Sequence, residues 1–309
     1  MKDSKSFPSF AIILCTHNGE NFLRDQLNSI LNQTYTEFIL FIHDWGSSDK
    51  TLEILDEISN KFSNKVFLTK HRTTPGPKES FLRALDLSFL KDKFDFYLFS
   101  DQDDVWTPRK LGIIKEKIEE KSPDFLHHDV EVVDSNLKTL EKSLYANNLF
   151  FRKPLNHNFS RILSNPVPGM TMCFSNRIVN TIFELKLSNH SNILMHDWFV
   201  LLVIIFKKYK SLYINEQLVK YRQHESNILG FKKKSLLKKS INIFFHFRNV
   251  INQKYYIENL FQKKISFMRV TLDVISDRSL TYFYRFLLFF ISIFIGFEGG
   301  IKKITNFLK

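Results

Sequence analysis

The chain of 309 residues predicts an α/β fold built on a mainly parallel sheet, and three observations carry that expectation. Apolar runs of strand length alternate with segments whose apolar residues recur at helical spacing over the first 130 residues, as βαβ units require. Those runs are apolar nearly throughout, the pattern of strands covered on both faces. Chemistry-bearing residues cluster directly after them, at the carboxyl ends where such sheets bind ligands.

In order, Phe10–Cys15 is the first predicted strand, and Leu23, Leu27, Ile30 and Leu31 mark the first helix. Phe38–His43 is the second strand. The helix after it carries Leu55, Ile58 and Phe62 and is entered through Ser47, Ser48 and Asp49, residue types that cap helix N-termini. Val66–Thr69 is a third strand, and Phe81, Leu82, Leu85 and Phe89 form the next helical face. Phe94–Ser100 is the fourth strand. Thr107 and Pro108 then predict a helix with Thr as cap and Pro at its first position, turning Leu111, Ile114 and Ile118 inward. Beyond residue 121 the alternation weakens. Strands are expected at Phe125–Val133, Pro168–Phe174 and Leu212–Tyr221. His196–Lys208 is a helix apolar on nearly all sides, hence buried.

Composition narrows the class. With 44% hydrophobic and 25% charged residues the chain is globular rather than disordered. Cys15 and Cys173 are the two cysteines, too few for a disulfide framework or a Cys-rich zinc site, so a reducing compartment fits. Met1–Ser9 is polar and lacks the apolar core of a signal peptide, so a cytoplasmic location is expected. The net charge of +12 is concentrated: residues 231–309 hold 15 Lys and Arg against 4 Asp and Glu. That excludes a uniformly basic nucleic-acid binder and divides the chain into a near-neutral domain, 1–230, and a basic region, 231–309.

The strand ends carry the chemistry. The first ends in Thr16-His17-Asn18-Gly19, with neither a Walker loop nor GxGxxG. The second ends in Asp44 ahead of Gly46-Ser47-Ser48-Asp49; Asp44 could accept from a base N–H or a ribose, or serve as an Asx-turn and cap. The fourth ends in Asp101-Gln102-Asp103-Asp104-Val105-Trp106. Three carboxylates in four positions repel one another unless a cation lies between them, and carboxylate oxygens suit Mg²⁺ or Mn²⁺. Asp197 opens the buried helix, where the helix dipole should keep it ionised. Tyr221-Arg222-Gln223-His224-Glu225-Ser226-Asn227 supplies a fixed cation and an imidazole after a strand.

Taken in order, these segments, with Phe22 and Leu23 after the first and His196-Asp197-Trp198 before the last, resemble family 2 glycosyltransferases of GT-A fold. DQDDVW and YRQHESN are similar to those of bacterial rhamnosyltransferases of cell-wall and capsular polysaccharide. The resemblance implies a GT-A catalytic domain over 1–230 that moves a sugar, with inversion, from a nucleoside-diphosphate sugar to an acceptor hydroxyl. Carried over by position, it implies that Asp44 holds the base or ribose while Thr16 and Asn18 shape the nucleotide pocket. Asp101 contacts the ribose or a metal-bound water, Asp103 and His224 ligate Mg²⁺ or Mn²⁺, Arg222 meets the diphosphate, and Asp197 is the general base. Rhamnose from dTDP-rhamnose is the first donor expected, with UDP-hexoses and UDP-N-acetylhexosamines as alternatives. Three departures touch the donor pocket: Trp45 follows Asp44, His17 replaces a usual Tyr, and Ser80 stands where relatives carry Asn.

The basic region interleaves lysines (232–239, KKKSLLKK) with apolar residues, and Phe286–Phe297 is a twelve-residue, largely apolar run. A membrane span needs about twenty residues. A helix lying on an anionic bilayer is therefore favoured over a true span, with a hairpin packed on the catalytic domain or a homodimer interface as the other readings. The expected setting is the inner face of the cell membrane, with an acceptor carried on polyprenyl diphosphate. Two rival classes fit less well. A nucleotidyltransferase would carry a Lys or Arg in the Gly-rich loop after the first strand, which Thr16–Glu20 lacks. A non-enzymatic membrane or nucleic-acid binder leaves the carboxylates at the strand ends unexplained.

Overall fold

The computed structural model describes residues 8–86, 94–146, 163, 165–186, 191–225, 227 and 249–276. The chain runs β1 (Phe10–Thr16), α1 (Leu23–Leu31), β2 (Phe38–Trp45), α2 (Thr51–Lys61), β3 (Val66–His71), α3 (Pro77–Leu85) and β4 (Phe96–Ser100). There follow β5 (Val105–Trp106), α4 (Lys110–Lys121), β6 (Phe125–Asp134), β7 (Thr139–Glu141), β8 (Met172–Ser175), α5 (Asn176–Glu184), α6 (His196–Lys207) and β9 (Ser211–Gln223). Residues 249–260 form α7, and α8 spans Phe267–Ser276.

The sheet order is β3-β2-β1-β4-β8-β6-β9-β5, with β7 paired to β6. β1 pairs in parallel with β2 and β4, and β2 with β3. β8 is antiparallel to both β4 and β6, whereas β9 is parallel to β6. β1, β2, β4, β6 and β9 therefore all end at one edge of the sheet, and β8 begins there. The reversal at β8 brings residues from opposite ends of the sequence to one place.

Alternate residues of β1 enter two separate cores. Ala11, Ile13 and Cys15 pack toward α3, α5 and α6, while Phe10, Ile12 and Leu14 pack toward α1, α2 and α4. Cover on both faces is why the central strands are continuous apolar runs. α6 is buried along its length, His196 through Phe206. Val250, Ile251 and Ile257 of α7 and Val270 and Val274 of α8 join the same cluster. Part of the region beyond residue 230 thus contributes core to the α/β layer. The segment 232–239 and the run Phe286–Phe297 lie outside the described residues, as does Phe89.

Several predicted boundaries move. α4 begins at Lys110 rather than beside Thr107, because the Thr107 N–H and hydroxyl both donate to Leu218 O of β9 and hold Thr107 beside the strand. α2, by contrast, begins at Thr51 directly after the expected entry, with Asp49 Oδ1 accepting the Thr51 N–H while Ser47 bonds Asp44 and Ser48 bonds Asn18. Of Pro168–Phe174, the first part is a 3₁₀ turn, Gly169–Thr171, closed by Thr171 N–H on Pro168 O. α5, β5 and β7 have no counterpart among the sequence expectations.

Phe199 is fully enclosed within α6. Phe199→Ala is expected to cost about 3–5 kcal/mol of stability, measured as a lowered denaturant midpoint at unchanged slope.

Candidate active site

The loops after β1 and β2 lock onto each other. Asn18, at φ 50°, accepts the Ser48 N–H at 2.8 Å through Oδ1, and its own N–H donates to Ser47 Oγ at 2.9 Å. Thr16 is buried, and its hydroxyl donates to Gln102 Oε1 at 2.6 Å. Gln102 also accepts the His17 N–H at 2.9 Å and returns a bond to His17 O, tying the first loop to the acidic segment. Asp44 is 1% exposed and accepts the N–H groups of Gly46 and Ser47, both at 3.1 Å, and the Ser47 hydroxyl. Of the two readings open for Asp44, the Asx-turn is the one formed.

The acidic segment leaves β4 half-buried at Asp101, Gln102 and Asp103 and fully buried at Asp104. Burial, then Asp103, then Asp197 push the Asp101 carboxyl up to about 7. Asp104 is fully buried; burial and the charges of Asp103 and Asp101 raise it well above the usual range, while the Arg222 N–H opposes the rise from 3.1 Å. Its Oδ2 has no hydrogen-bond partner among the described residues. Asp103 faces outward enough to meet His224, whose Nε2 lies 2.9 Å from Oδ2 although the two are 121 positions apart. The His224 ring lies 4.6 Å from Phe22, whose ring also takes the Arg222 guanidinium at 4.6 Å.

Arg222 requires a correction. Its Nε donates to Asp103 O at 2.8 Å, Nη1 to Ser135 O at 2.6 Å and Nη2 to Asp25 Oδ2 at 2.9 Å. With 2% exposure it joins the acidic segment, the end of β6 and α1 rather than facing a diphosphate. The fork geometry that suits phosphate is here engaged by protein oxygens.

Asp197 requires another. The helix dipole was expected to dominate, yet burial pushes its carboxyl up to about 6, with bonds from the Trp198 and Gly169 backbones holding it from rising further. Trp198 N–H reaches Oδ1 at 2.6 Å. The neighbouring His196 stacks on Phe81 at 4.1 Å, and burial lowers it to about 3. Asp197 is close enough to Asp101 that its charge is felt there. The edge therefore holds a pair of donor atoms, Asp103 and His224, beside a buried carboxyl poised near neutrality.

No group of three or more His, Cys, Asp or Glu side chains forms a ready cation cage among the described residues. The Asp103 and His224 pair still fits a divalent cation that takes two protein donors and fills its remaining positions with phosphate oxygens and water. Sequence reasoning missed Lys110, buried under the acidic segment with its Nζ on Met170 O at 2.9 Å, and Gln26, whose amide donates to Ser100 Oγ at 2.7 Å and Asp101 O at 3.1 Å. Polar residues on amphipathic helices look solvent-facing in sequence, so neither carried a signal.

Comparison with known proteins agrees with this geometry. Residues 11–179 match the family model described as Glycosyl transferase family 2. Over 224 residues the chain is 27% identical to the dTDP-rhamnosyl transferase RfbG of Shigella flexneri, covering 70% of this chain and 73% of that protein. Among solved structures it resembles S. aureus TarS 1-349 in complex with UDP-GlcNAc, with TM-score 0.58 and 17% identity over 82% of this chain and 70% of that one. It also resembles the mannosyltransferase PcManGT of Pyrobaculum calidifontis in complex with GDP-Man and Mn²⁺, with TM-score 0.54 and 12% identity over 94% and 70%. These two likenesses show the fold.

A carboxyl with a raised folded-state pKa binds its proton more tightly when folded than when unfolded. The cost of burying Asp197 is therefore absent below its unfolded value near 4, grows as pH rises, and is complete above about 6. Asp197→Asn is expected to raise the thermal midpoint at pH 8 relative to the unaltered protein, with the gap closing toward pH 4, as read by calorimetry across that range.

Proposed function

Since the chain belongs to glycosyl transferase family 2, we propose that it transfers rhamnose from dTDP-rhamnose, with inversion, to a hydroxyl of a lipid-linked surface polysaccharide. The observation that carries the reaction is the meeting of Asp103, His224, Asp101 and Asp197 at the carboxyl edge of the sheet. The donor choice rests on the likeness to RfbG.

In this reading the nucleotide lies against the interlocked loops that Thr16, Asn18 and Asp44 hold rigid, and His17 offers a planar face to the base. Asp101 meets the ribose. Asp103 and His224 would hold Mg²⁺ or Mn²⁺, which when bound supplies positive charge beside the departing diphosphate. Asp197 accepts the proton of the acceptor hydroxyl as its oxygen bonds to the anomeric carbon. The bond from that carbon to the phosphate oxygen breaks, and the electron pair leaves with the diphosphate. A carboxyl near 6 is a better base at neutral pH than one near 4 and is still mostly ionised. Arg222 positions the acidic segment and does not touch substrate.

Membrane docking is the second part of the proposal. Among the described residues no helix is long and apolar enough to cross a membrane. The charge of residues 231–309, 15 basic against 4 acidic, supports docking on an anionic inner leaflet.

Nucleotide release from dTDP-rhamnose, set against UDP- and GDP-sugars with Mn²⁺ or Mg²⁺, tests the donor; dTDP-rhamnose should lead. Asp197→Asn and Asp103→Asn should each lower transfer by roughly 100-fold or more; full activity in either removes that residue from its role. Because α7 and α8 pack into the core, docking is tested by neutralising charge rather than by deletion. Exchanging Lys232, Lys233, Lys234, Lys238 and Lys239 for Gln should weaken co-sedimentation with anionic liposomes, and unchanged binding would overturn docking through this segment.

A further inference from the structure

Lys110 is the one fully buried lysine among the described residues, and the reaction proposed above makes no use of it. It opens α4 just after the acidic segment, with Nζ 3.6 Å from the centre of the Trp106 ring. Among the described residues its hydrogen-bond acceptor is Met170 O, at 2.9 Å. Met170 sits in the 3₁₀ turn before β8, closed by the Thr171 hydroxyl on Pro168 O at 2.7 Å. The same turn presents the Gly169 backbone to the Asp197 carboxylate. Gly169 packs so closely that a Cβ there would lie 2.8 Å from His196 Nε2.

We infer that Lys110 is a positioning residue that clamps the Gly169–Thr171 turn to the acidic segment and so holds Asp197 in place. The inference rests on the reading of Asp197 as the proton acceptor. A buried ammonium is retained only where charges and acceptors compensate its lost hydration. The Asp104 and Asp101 carboxyls, Cys173 and His128 all lie within its field, and the Met170 carbonyl accepts a hydrogen bond from it. One side chain thus touches two units that the sequence keeps about sixty positions apart. Burial lowers the ammonium to about 7, so the clamp is costly to the fold and is explained by what it holds. An apolar residue of similar length would fill the space without fixing the carbonyl.

The test uses the full chain carrying Lys110→Met, with Thr171→Val as a second way of loosening the turn and Asp197→Asn as comparator. Lys110→Met should lower kcat about tenfold or more while the donor KM stays within about twofold, the signature of an interaction that matters in the chemical step. Thr171→Val should show the same split to a smaller degree, and it decides the question if Lys110→Met does not fold. Hydrogen exchange should accelerate at 169–171 in both variants and stay unchanged in β1. Unchanged kcat with unchanged exchange at the turn overturns the inference, as does a uniform rise in exchange across the sheet. If Asp197→Asn is fully active, the proton-acceptor reading has failed; the exchange data then still judge the clamp by itself.

Discussion

Two carboxyl groups removed from water at one edge of the sheet, those of Asp104 and Asp197, together with the half-buried Asp101 beside them, are the constraint around which the surrounding elements are arranged. Each carries a raised pKa whose first cause is burial. Unpaired buried charge is costly enough that a fold retains it only with compensation close by. The compensation comes from different directions: the Arg222 N–H toward Asp104, the Lys110 ammonium in the field of Asp101 and Asp104, and the Trp198 and Gly169 backbones on Asp197.

Topology explains how so few residues do this. β8 runs against β4, with Leu98 beside Cys173 and Phe96 beside Ser175. That register sets the turn preceding β8 next to the end of β4, so the backbone facing Asp197 and the side chains of the acidic segment are neighbours. β9 ends at the same edge because it is parallel to β6, and there it delivers Arg222 and His224. Phe22, between the Arg222 guanidinium and the His224 ring, anchors both to the start of α1. Side-chain hydrogen bonds tie the contributing segments to one another: Asn18 to Ser48, Thr16 to Gln102, and Gln26 of α1 to Ser100 of β4.

The parallel half of the sheet was legible in the sequence for a physical reason. Strands covered on both faces must be apolar throughout, and FAIILC and FILFIH meet that requirement visibly. The other half was harder to read. β5 has two residues and β7 three, too few to display a period, and α5 shows its buried Ile178, Val179 and Ile182 over only nine residues. At the site, sequence spacing identified the acidic segment and the His224 cluster, because several chemically active residue types in one short stretch are conspicuous. It assigned Arg222 to a ligand because a guanidinium after a strand looks available; the carbonyls of Asp103 and Ser135 that occupy it come from distant segments. Lys110 failed to register for the converse reason, since a lysine opening a helix looks solvated until Trp106 and Met170 are seen around it.

The error over Asp197 bears on mechanism. A helix N-terminus lowers a carboxyl pKa by a modest amount, and the effect is largest where solvent does not compete. α6, however, is buried from its first residue, and desolvation of the charged form outweighs the dipole. The same burial that makes the helix a core element therefore raises the basicity of the residue that opens it. For an inverting displacement this is useful only if the carboxylate is still mostly ionised at working pH, and a value near 6 meets that condition. The apolar length of α6, its packing against α3 and α5, and the proton affinity of Asp197 are consequently one property of the fold. A substitution that hydrates the start of α6 is expected to weaken the base even where it leaves every side chain of the edge in place.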